Sequence, residues 1–184
     1  MIKRGSEWNK WDLHVHTPES VLRSEYSRDW DEYIIELFTA AIENHIKCIG
    51  ITDYFFIDGY KKIKKEYLSN PSKMIELLGE DKYNLAKEIL ILPNIEFRID
   101  KLVIGKETDL KWNRKVNYHL LLCDSLDPDI IEREIINSLK FDYYSEPGAQ
   151  TDRRNFTKEN IIELGTNLSK FQQDFSDSSP LFVG

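Results

Sequence analysis

Apolar residues in the first half of the chain recur with the periods of helices and strands in turn. One helical face is predicted from the three- and four-residue spacing of Trp30, Tyr33, Ile34, Leu37, Phe38 and Ala41. Asp29 precedes this helix as a capping carboxylate, with Glu32 in the capping-box position. An alternating stretch at residues 10–16 and an apolar run at residues 47–53 predict flanking strands. Because a strand, a helix and a strand in this order form a right-handed parallel unit, the pattern predicts an α/β fold.

The same alternation continues beyond residue 53. Helices are predicted at residues 59–68 and up to about residue 88, with a loop and a short helix between them at 69–81. A third strand is predicted at residues 89–99, interrupted at Pro93-Asn94. Residues 100–113 predict a hairpin or an excursion, and residues 116–123 predict a fourth strand. From this repeated order we expect the four strands to be parallel.

The last third of the chain carries two further predicted helices. Asp127-Pro128 begins the first, with a buried stripe at Ile131, Ile135 and Leu139. Residues 141–155 predict a long loop, and Thr157 caps a helix that packs through Ile161, Leu164, Leu168 and Phe171. Residues 180–184 resemble the start of another buried strand. We therefore expect residues 1–184 to be one domain that lacks late strands, with an open sheet edge or self-association through it.

Composition limits the class of protein. With 41% hydrophobic and 31% charged residues, the chain can bury one sizeable core. A formal net charge of −7 argues against a general nucleic-acid-binding surface. Cys48 and Cys123 lie in apolar runs, which predicts buried, reduced thiols and a cytoplasmic protein. No apolar run is long enough to span a bilayer, so no membrane association is expected.

The first strand carries the candidate chemistry. His14 and His16 are two residues apart and therefore share one face of the strand with Asp12. Two adjacent imidazoles can hold a divalent metal ion, and Asp12 is placed to orient a ring from behind. A half-buried edge strand with incidental histidines fits a bare HxH pattern equally well. Thr17-Pro18 favours the metal site, since a turn there ends the strand where α/β enzymes keep their sites.

Each of the next three strands adds a candidate ligand, namely Asp53, Glu96 and His119. Mixed imidazole and carboxylate ligation favours Zn, Mn or Fe over Ca or Mg. A carboxylate such as Glu96 can also bridge two ions, the arrangement that holds the attacking and leaving oxygens in phosphoester hydrolysis. Plainer explanations exist for single residues: Glu96 can pair with Arg98 on an exposed face, and His119 can be a satisfied core residue.

Four segments resemble the motifs of the PHP (polymerase and histidinol phosphatase) family. They are Asp12-Leu-His-Val-His-Thr17, Ile51-Thr-Asp53, Leu92-Pro-Asn-Ile-Glu96 and Tyr118-His119-Leu-Leu. Trp11, Tyr54-Phe-Phe-Ile-Asp-Gly59 and Glu96-Phe-Arg98 are most similar to the subgroup at the N-terminus of large AAA- or SMC-like ATPases, the TrlF-like proteins. The resemblance implies a distorted (β/α)7 barrel, present here in part, with up to three metals at its C-terminal rim. It also implies hydrolysis of phosphate esters or nucleic-acid phosphodiesters.

The resemblance also implies roles for individual residues. His14, His16 and Glu96 match metal ligands, with Glu96 bridging, and His119 matches a ligand of the second ion. Asp12 and Asp53 match supporting positions, and direct ligation by Asp53 stays open.

The sequence departs from the family pattern in two places, and both reduce the number of metal ligands expected. Tyr54 and Leu22 stand where the family usually has His, so we expect no complete third metal site. The family's late ligands have no match after His119, so they lie beyond Gly184 or do not exist. No phosphate-binding P-loop occurs in these residues, so an attached ATPase would be a C-terminal region beyond them.

Three functional hypotheses follow. In the leading one, a metal-dependent phosphoesterase or nuclease, two metals activate water, with Asp12 and Asp53 in support. Arg98, or one of Arg153 and Arg154, steadies a phosphate oxygen. The alternative is a degenerate, non-catalytic PHP module that senses or docks a ligand for an attached ATPase. A single-metal, amidohydrolase-like enzyme rests on the barrel analogy alone. Metal stoichiometry separates the first two, since two ions favour the enzyme and none favours the docking module.

Overall fold

A curled, half-barrel sheet of four strands forms the centre of the first part of the chain. The computed structural model describes residues 8–20, 29–103, 114–143 and 152–174. In sheet order the strands are β1 (Lys10–Val15), β2 (Ile46–Tyr54), β3 (Leu90–Val103) and β4 (Arg114–Leu121). β1, β2 and β3 are parallel. The predicted α/β class is therefore confirmed.

β4 runs antiparallel to β3, so the prediction of four parallel strands is wrong for the fourth. Only residues 104–113 connect the two strands, and a parallel crossover needs about a dozen residues or more. The antiparallel pairing places Glu96 opposite His119, and directly opposed residues lie on the same face of a sheet. The two candidate ligands therefore meet although the direction of β4 differs from the prediction.

Pro93 does not interrupt β3, contrary to the sequence prediction. Its Cα is paired with that of Ile51 in β2, and its carbonyl accepts a hydrogen bond from the Leu122 N–H at 3.0 Å. The N–H and C=O of a strand residue point to the same side, here the side of β4, which ends at Leu121. Proline has no backbone N–H to donate. It is tolerated at this position because β4 has already ended and no residue of that strand needs to accept a hydrogen bond from it.

Helices connect the parallel strands. α1 (Trp30–Glu43) buries Tyr33, Ile34, Phe38 and Ala41, as the apolar spacing predicts. The Asp29 carboxylate accepts hydrogen bonds from the N–H groups of Asp31 and Glu32, which confirms the predicted cap. After β2 come α2 (Asp58–Lys62), a π-helical segment at Ile63–Leu68, α3 (Pro71–Leu78) and α4 (Glu80–Ala86). Asn70 caps α3, so Asn70-Pro71 begins a helix.

The chain divides into two compact units, residues 1–128 and 129–184. That the chain is one domain stays a prediction. Around the boundary, α5 (Pro128–Ile130) continues as a π-helical segment at Ile131–Ile135 and a 3-10 turn at Ile136–Ser138. The predicted stripe is wrong beyond Ile131, because Ile136 is buried and Leu139 is exposed. A π-helical turn brings residues five apart onto one face, which moves the buried position from 135 to 136.

The second unit contains a hairpin that the sequence analysis places in a long loop. β5 (Lys140–Tyr143) pairs antiparallel with β6 (Asp152–Asn155). Strands of four residues are too short to give a clear alternation, which explains the wrong prediction. α6 (Lys158–Asp174) follows, and the Thr157 hydroxyl accepts from the Asn160 N–H, so the predicted cap is confirmed. The strand predicted at residues 180–184 and the side chains of Leu168 and Phe171 lie outside the described residues.

Two further predictions concern the cysteines and membranes. Both cysteines are free, but only Cys48 is buried. Cys123 is exposed because it lies just beyond the end of β4, which corrects the prediction of two buried thiols. Within the ranges that the structure describes, no helix is both long and apolar enough to cross a membrane.

Candidate metal centre

Two imidazoles and one carboxylate meet at the C-terminal end of β1. The Nε2 atoms of His14 and His16 are 3.1 Å apart. Glu96 Oε2 lies 3.1 Å from the first and 3.5 Å from the second. Glu96 is fully buried, whereas the side chains of His14 and His16 are 50% and 22% exposed. The three ligand atoms therefore form a triangle with a buried corner and an open side.

The dimensions of this triangle suit a metal ion. A tetrahedral ion with metal–nitrogen distances of about 2.0–2.1 Å separates its ligand atoms by about 3.3–3.4 Å. The three edges of the triangle lie close to that spacing. Two His and one carboxylate with an open position are a ligand set of catalytic Zn sites and of non-heme Fe sites. His14, His16 and Glu96 could thus hold one divalent ion, as the sequence predicts for these three residues.

Close contact between β1 and β2 brings the imidazoles to the sheet rim. A Cβ on Gly50 would lie 2.5 Å from the carbonyl oxygen of Leu13, so only glycine allows this approach. The Tyr33 hydroxyl donates to the carbonyl of His16 at 2.9 Å, which attaches the end of β1 to α1. The backbone that carries both imidazoles is therefore fixed from two sides.

Asp12 does not orient an imidazole, which corrects the sequence prediction. Its carboxylate accepts a hydrogen bond from the backbone N–H of His14 at 3.3 Å. An irregularity in the pairing of β1 between Asp12 and Val15 interrupts the two-residue alternation on which the prediction depended. Behind His16 lies Ser20 instead, with its hydroxyl 3.2 Å from Nδ1.

Hydrogen bonds hold both the side chain and the backbone of Glu96. The Asn117 side-chain amide donates to Oε1, and the Glu96 carbonyl accepts from the Phe55 N–H at 3.1 Å. Because Glu96 is fully buried, the alternative of an exposed ion pair with Arg98 is wrong. The Cα of Arg98 is paired with that of Asn117, and its side chain lies outside the described residues.

His119 lies beside the triangle but is not part of it. Its ring centroid is 4.8 Å from that of His14, and its Nδ1 is 3.2 Å from Nδ2 of Asn94. The residue is exposed, so the alternative of a satisfied core histidine is wrong. Among the residues that the structure describes, the group whose ligand atoms approach within 4.8 Å contains His14, His16 and Glu96 without His119.

Asp53, near the end of β2, connects this strand to the segment after β1 and to α2. Its two carboxylate oxygens accept hydrogen bonds from the Thr17 hydroxyl and from the Gly59 N–H, each at 2.9 Å. A Cβ on Gly59 would lie 2.1 Å from the Thr17 oxygen, so glycine is required at the start of α2. These contacts give Asp53 a structural role next to the site.

We expect Asp53 to make stability depend on pH. Burial raises the pKa of Asp53 from 3.8 to about 6, against the opposing effect of its hydrogen bonds. The folded protein therefore binds this proton more tightly than the unfolded chain, and the free energy of unfolding falls as pH rises from about 4 to 6. At 1.36 kcal/mol per pKa unit the fall is about 3 kcal/mol. Denaturant titrations at several pH values measure the free energy of unfolding, which should fall between pH 4 and 6 more steeply in the parent than in Asp53→Asn. The same slope in both proteins would contradict this prediction.

Tyr54 and Leu22 stand where the PHP family usually has His, and the structure describes the first of these two residues. Tyr54 stacks on the His16 ring, with centroids 4.9 Å apart and planes 22° from parallel. Burial lowers the pKa of His16, and the charge of the neighbouring His14 lowers it further. The imidazole of His16 is therefore kept neutral and able to bind a metal. Leu22 lies outside the described residues.

The two arginines of the second unit differ in their contacts. Arg154 forms ion pairs with Asp152 and Glu163, and its guanidinium lies 3.5 Å from the centroid of the Tyr143 ring. These contacts tie β5, β6 and α6 together and give Arg154 a structural role. Arg153 is exposed on β6.

Comparison of the chain with protein-family models, with curated proteins and with solved structures found no match.

Proposed function

We propose that this protein is a metal-dependent hydrolase of phosphate esters or phosphodiesters, built on a PHP-type half-barrel. The observation that carries the proposal is the triangle of His14, His16 and Glu96, with its buried carboxylate and its open side. Zn, Mn and Fe suit such a ligand set. The resemblance of the motifs to the PHP family supports phosphate esters as the substrate class.

Each residue of the site has a distinct part in this proposal. A divalent ion would supply Lewis-acid chemistry, lowering the pKa of water and polarising a phosphoryl oxygen. Glu96 contributes the negative charge that retains the ion, and the two neutral imidazoles contribute lone pairs. Asp53 holds the backbone after His16 through Thr17, so the ligands are positioned before an ion binds. Such preorganisation is what keeps a metal site selective and tight.

A second candidate, a non-catalytic module that docks a ligand for an attached C-terminal ATPase, is favoured by Tyr54. This ring covers one side of His16 in the place where the PHP family usually carries a further ligand. A site with fewer ligands binds fewer ions, and the two-metal clamp that drives phosphodiester cleavage would then be incomplete.

Hydrolysis assays distinguish the two candidates. We expect the metal-free protein to cleave bis(p-nitrophenyl) phosphate or p-nitrophenyl phosphate only after Mn or Zn is added. Loss of a supporting residue typically costs 10–100-fold, so His14→Ala, which removes a ligand, should lose at least about 100-fold in rate. His45→Asn is the matched control, because His45 is exposed outside the site with φ 56°, a conformation that Asn accepts. A protein that binds metal but cleaves neither compound would favour the docking module.

A further inference from the structure

The two oxygens of the Glu96 carboxylate have different surroundings. Oε2 lies 3.1 Å from Nε2 of His14 and 3.5 Å from Nε2 of His16. Oε1 accepts a hydrogen bond from the side-chain amide of Asn117, on the neighbouring strand β4. A carboxylate that binds a metal ion is ionised and only accepts hydrogen bonds, so the amide nitrogen is the atom that faces it. Because the Glu96 side chain has no exposed surface, this amide covers Oε1.

A second ion bridged by Glu96 would need the oxygen that Asn117 covers. A carboxylate bridges two ions most simply by giving one oxygen to each, and in two-metal sites the ions lie about 3.5–4 Å apart. The hydrogen of an amide N–H carries a partial positive charge, which repels a cation from the same oxygen. A second ion would therefore have to displace the Asn117 amide before it could bind Oε1.

Two further residues that the sequence offers as ligands, Asp53 and His119, do not complete a second site. Both oxygens of the buried Asp53 already accept hydrogen bonds, from Thr17 and from Gly59. His119 is exposed and lies opposite Glu96 on β4, but a structural or catalytic metal site takes three or four protein ligands. Within the described ranges, no second group of three possible ligand atoms forms beside Oε1.

We propose that this centre holds one divalent ion, and that Asn117 occupies the position at Glu96 where a second ion would otherwise bind. The inference rests on the proposed function for the ion held by the triangle, and it goes further in fixing the number of ions. Asn117 is a positioning residue, since it acts on the ion through Glu96. Its hydrogen bond holds Oε1 and thereby directs Oε2 toward the two imidazoles. The chain then differs from the arrangement of two or three ions that its motifs imply.

The variant Asn117→Asp tests this inference because it keeps the shape of the side chain and replaces the N–H donor by a carboxylate. Two carboxylates in contact repel each other, and a cation between them removes that repulsion. Together with Glu96 Oε1 and His119, the new carboxylate would supply three ligands. We expect Asn117→Asp to bind two Mn ions per chain and the parent one, measured by isothermal titration and by elemental analysis. Electron paramagnetic resonance should show an isolated Mn ion in the parent and a coupled pair in the variant, as expected for ions about 3.5–4 Å apart.

Three further variants separate the added charge from its position. Asn84→Asp is the matched control, since Asn84 is exposed on α4, outside the site, and should bind one ion with the affinity of the parent. Asn117→Ala removes the hydrogen bond without adding a ligand, so it should bind one ion about 10–100-fold more weakly, the usual effect of losing a residue that orients a ligand. Adding His119→Gln to Asn117→Asp should return the count to one ion.

The number of bound ions decides the inference without any hydrolysis assay. Two ions in the parent, one ion in Asn117→Asp, two ions in Asn84→Asp, or unchanged affinity in Asn117→Ala would each overturn it. A parent that binds one ion and cleaves no phosphate ester would contradict the proposed function and leave this inference in place, whereas a hydrolytic parent with two ions would do the reverse. A parent that binds no ion would overturn both.

Discussion

Replacing Glu96 with Gln should reduce the affinity for Mn or Zn at least about a thousandfold. Gln keeps the volume of the side chain and can still accept the hydrogen bond from Asn117, but it loses the negative charge. Unit charges 4 Å apart interact by about 4 kcal/mol at an effective dielectric constant of 20, which corresponds to about a thousandfold in affinity. Metal-dependent hydrolysis should disappear with the ion. Isothermal titration of the metal-free proteins measures the change.

The metal-free Glu96→Gln protein should unfold within about 1 kcal/mol of the parent, since packing and the Asn117 hydrogen bond are retained. In contrast, an ion at 100 times its dissociation constant should stabilise the parent by about 2.7 kcal/mol and the variant hardly at all. Glu43→Gln is the matched control, because Glu43 is exposed at the end of α1. Equal metal affinity in the parent and Glu96→Gln would remove Glu96 from the site.

Replacing Gly50 with Ala should destabilise the protein by about 3 kcal/mol and weaken metal binding as well. The new Cβ would lie 2.5 Å from the Leu13 carbonyl oxygen and 2.9 Å from the Leu13 Cα, both of them backbone atoms. Backbone cannot rotate away as a flexible side chain can, so β1 must separate from β2. Because β1 carries His14, the same displacement would pull one ligand away from Glu96. Chemical denaturation and metal titration measure the two effects.

Gly165→Ala provides the control for the loss of a glycine. A Cβ at Gly165 would meet nothing within 4 Å, and the residue is exposed in α6. Ala is favoured over Gly in a helix by about 1 kcal/mol, so this variant should be as stable as the parent or slightly more stable. If Gly50→Ala behaves like Gly165→Ala, β1 does not depend on the close approach to β2.

Local patterns in the sequence predict much of this fold. The helical spacing from Trp30 to Ala41 and the Asp29 cap define α1, and the apolar run before Asp53 defines β2. These features depend on neighbouring residues alone, so a single sequence contains them. The direction of β4 depends on the length of a connection and on pairing across the sheet. The tolerance of Pro93 depends on where β4 ends, which no local pattern records.

In the candidate site, too, local patterns predict some residues, while the roles of others depend on the folded structure. The sequence predicts correctly that His14, His16 and Glu96 come together, because each is a ligand type placed at the same end of the parallel strands. Asp12 is misplaced because an irregularity in β1 breaks the alternation. Asn94, Ser20 and Asn117 are missed, since amides and hydroxyls give no metal-ligand signal in a sequence. Their roles depend on which atom each one faces in the folded protein.

Crystals of the full chain soaked with Mn or Zn provide the most direct test of the central claim. We expect an anomalous peak within about 2.0–2.3 Å of His14 Nε2, His16 Nε2 and Glu96 Oε2. The same soak of Glu96→Gln should show no peak there. No peak at these three residues in metal-saturated crystals, or a peak bound to His119 and to none of them, would contradict the assignment of His14, His16 and Glu96 as the metal centre.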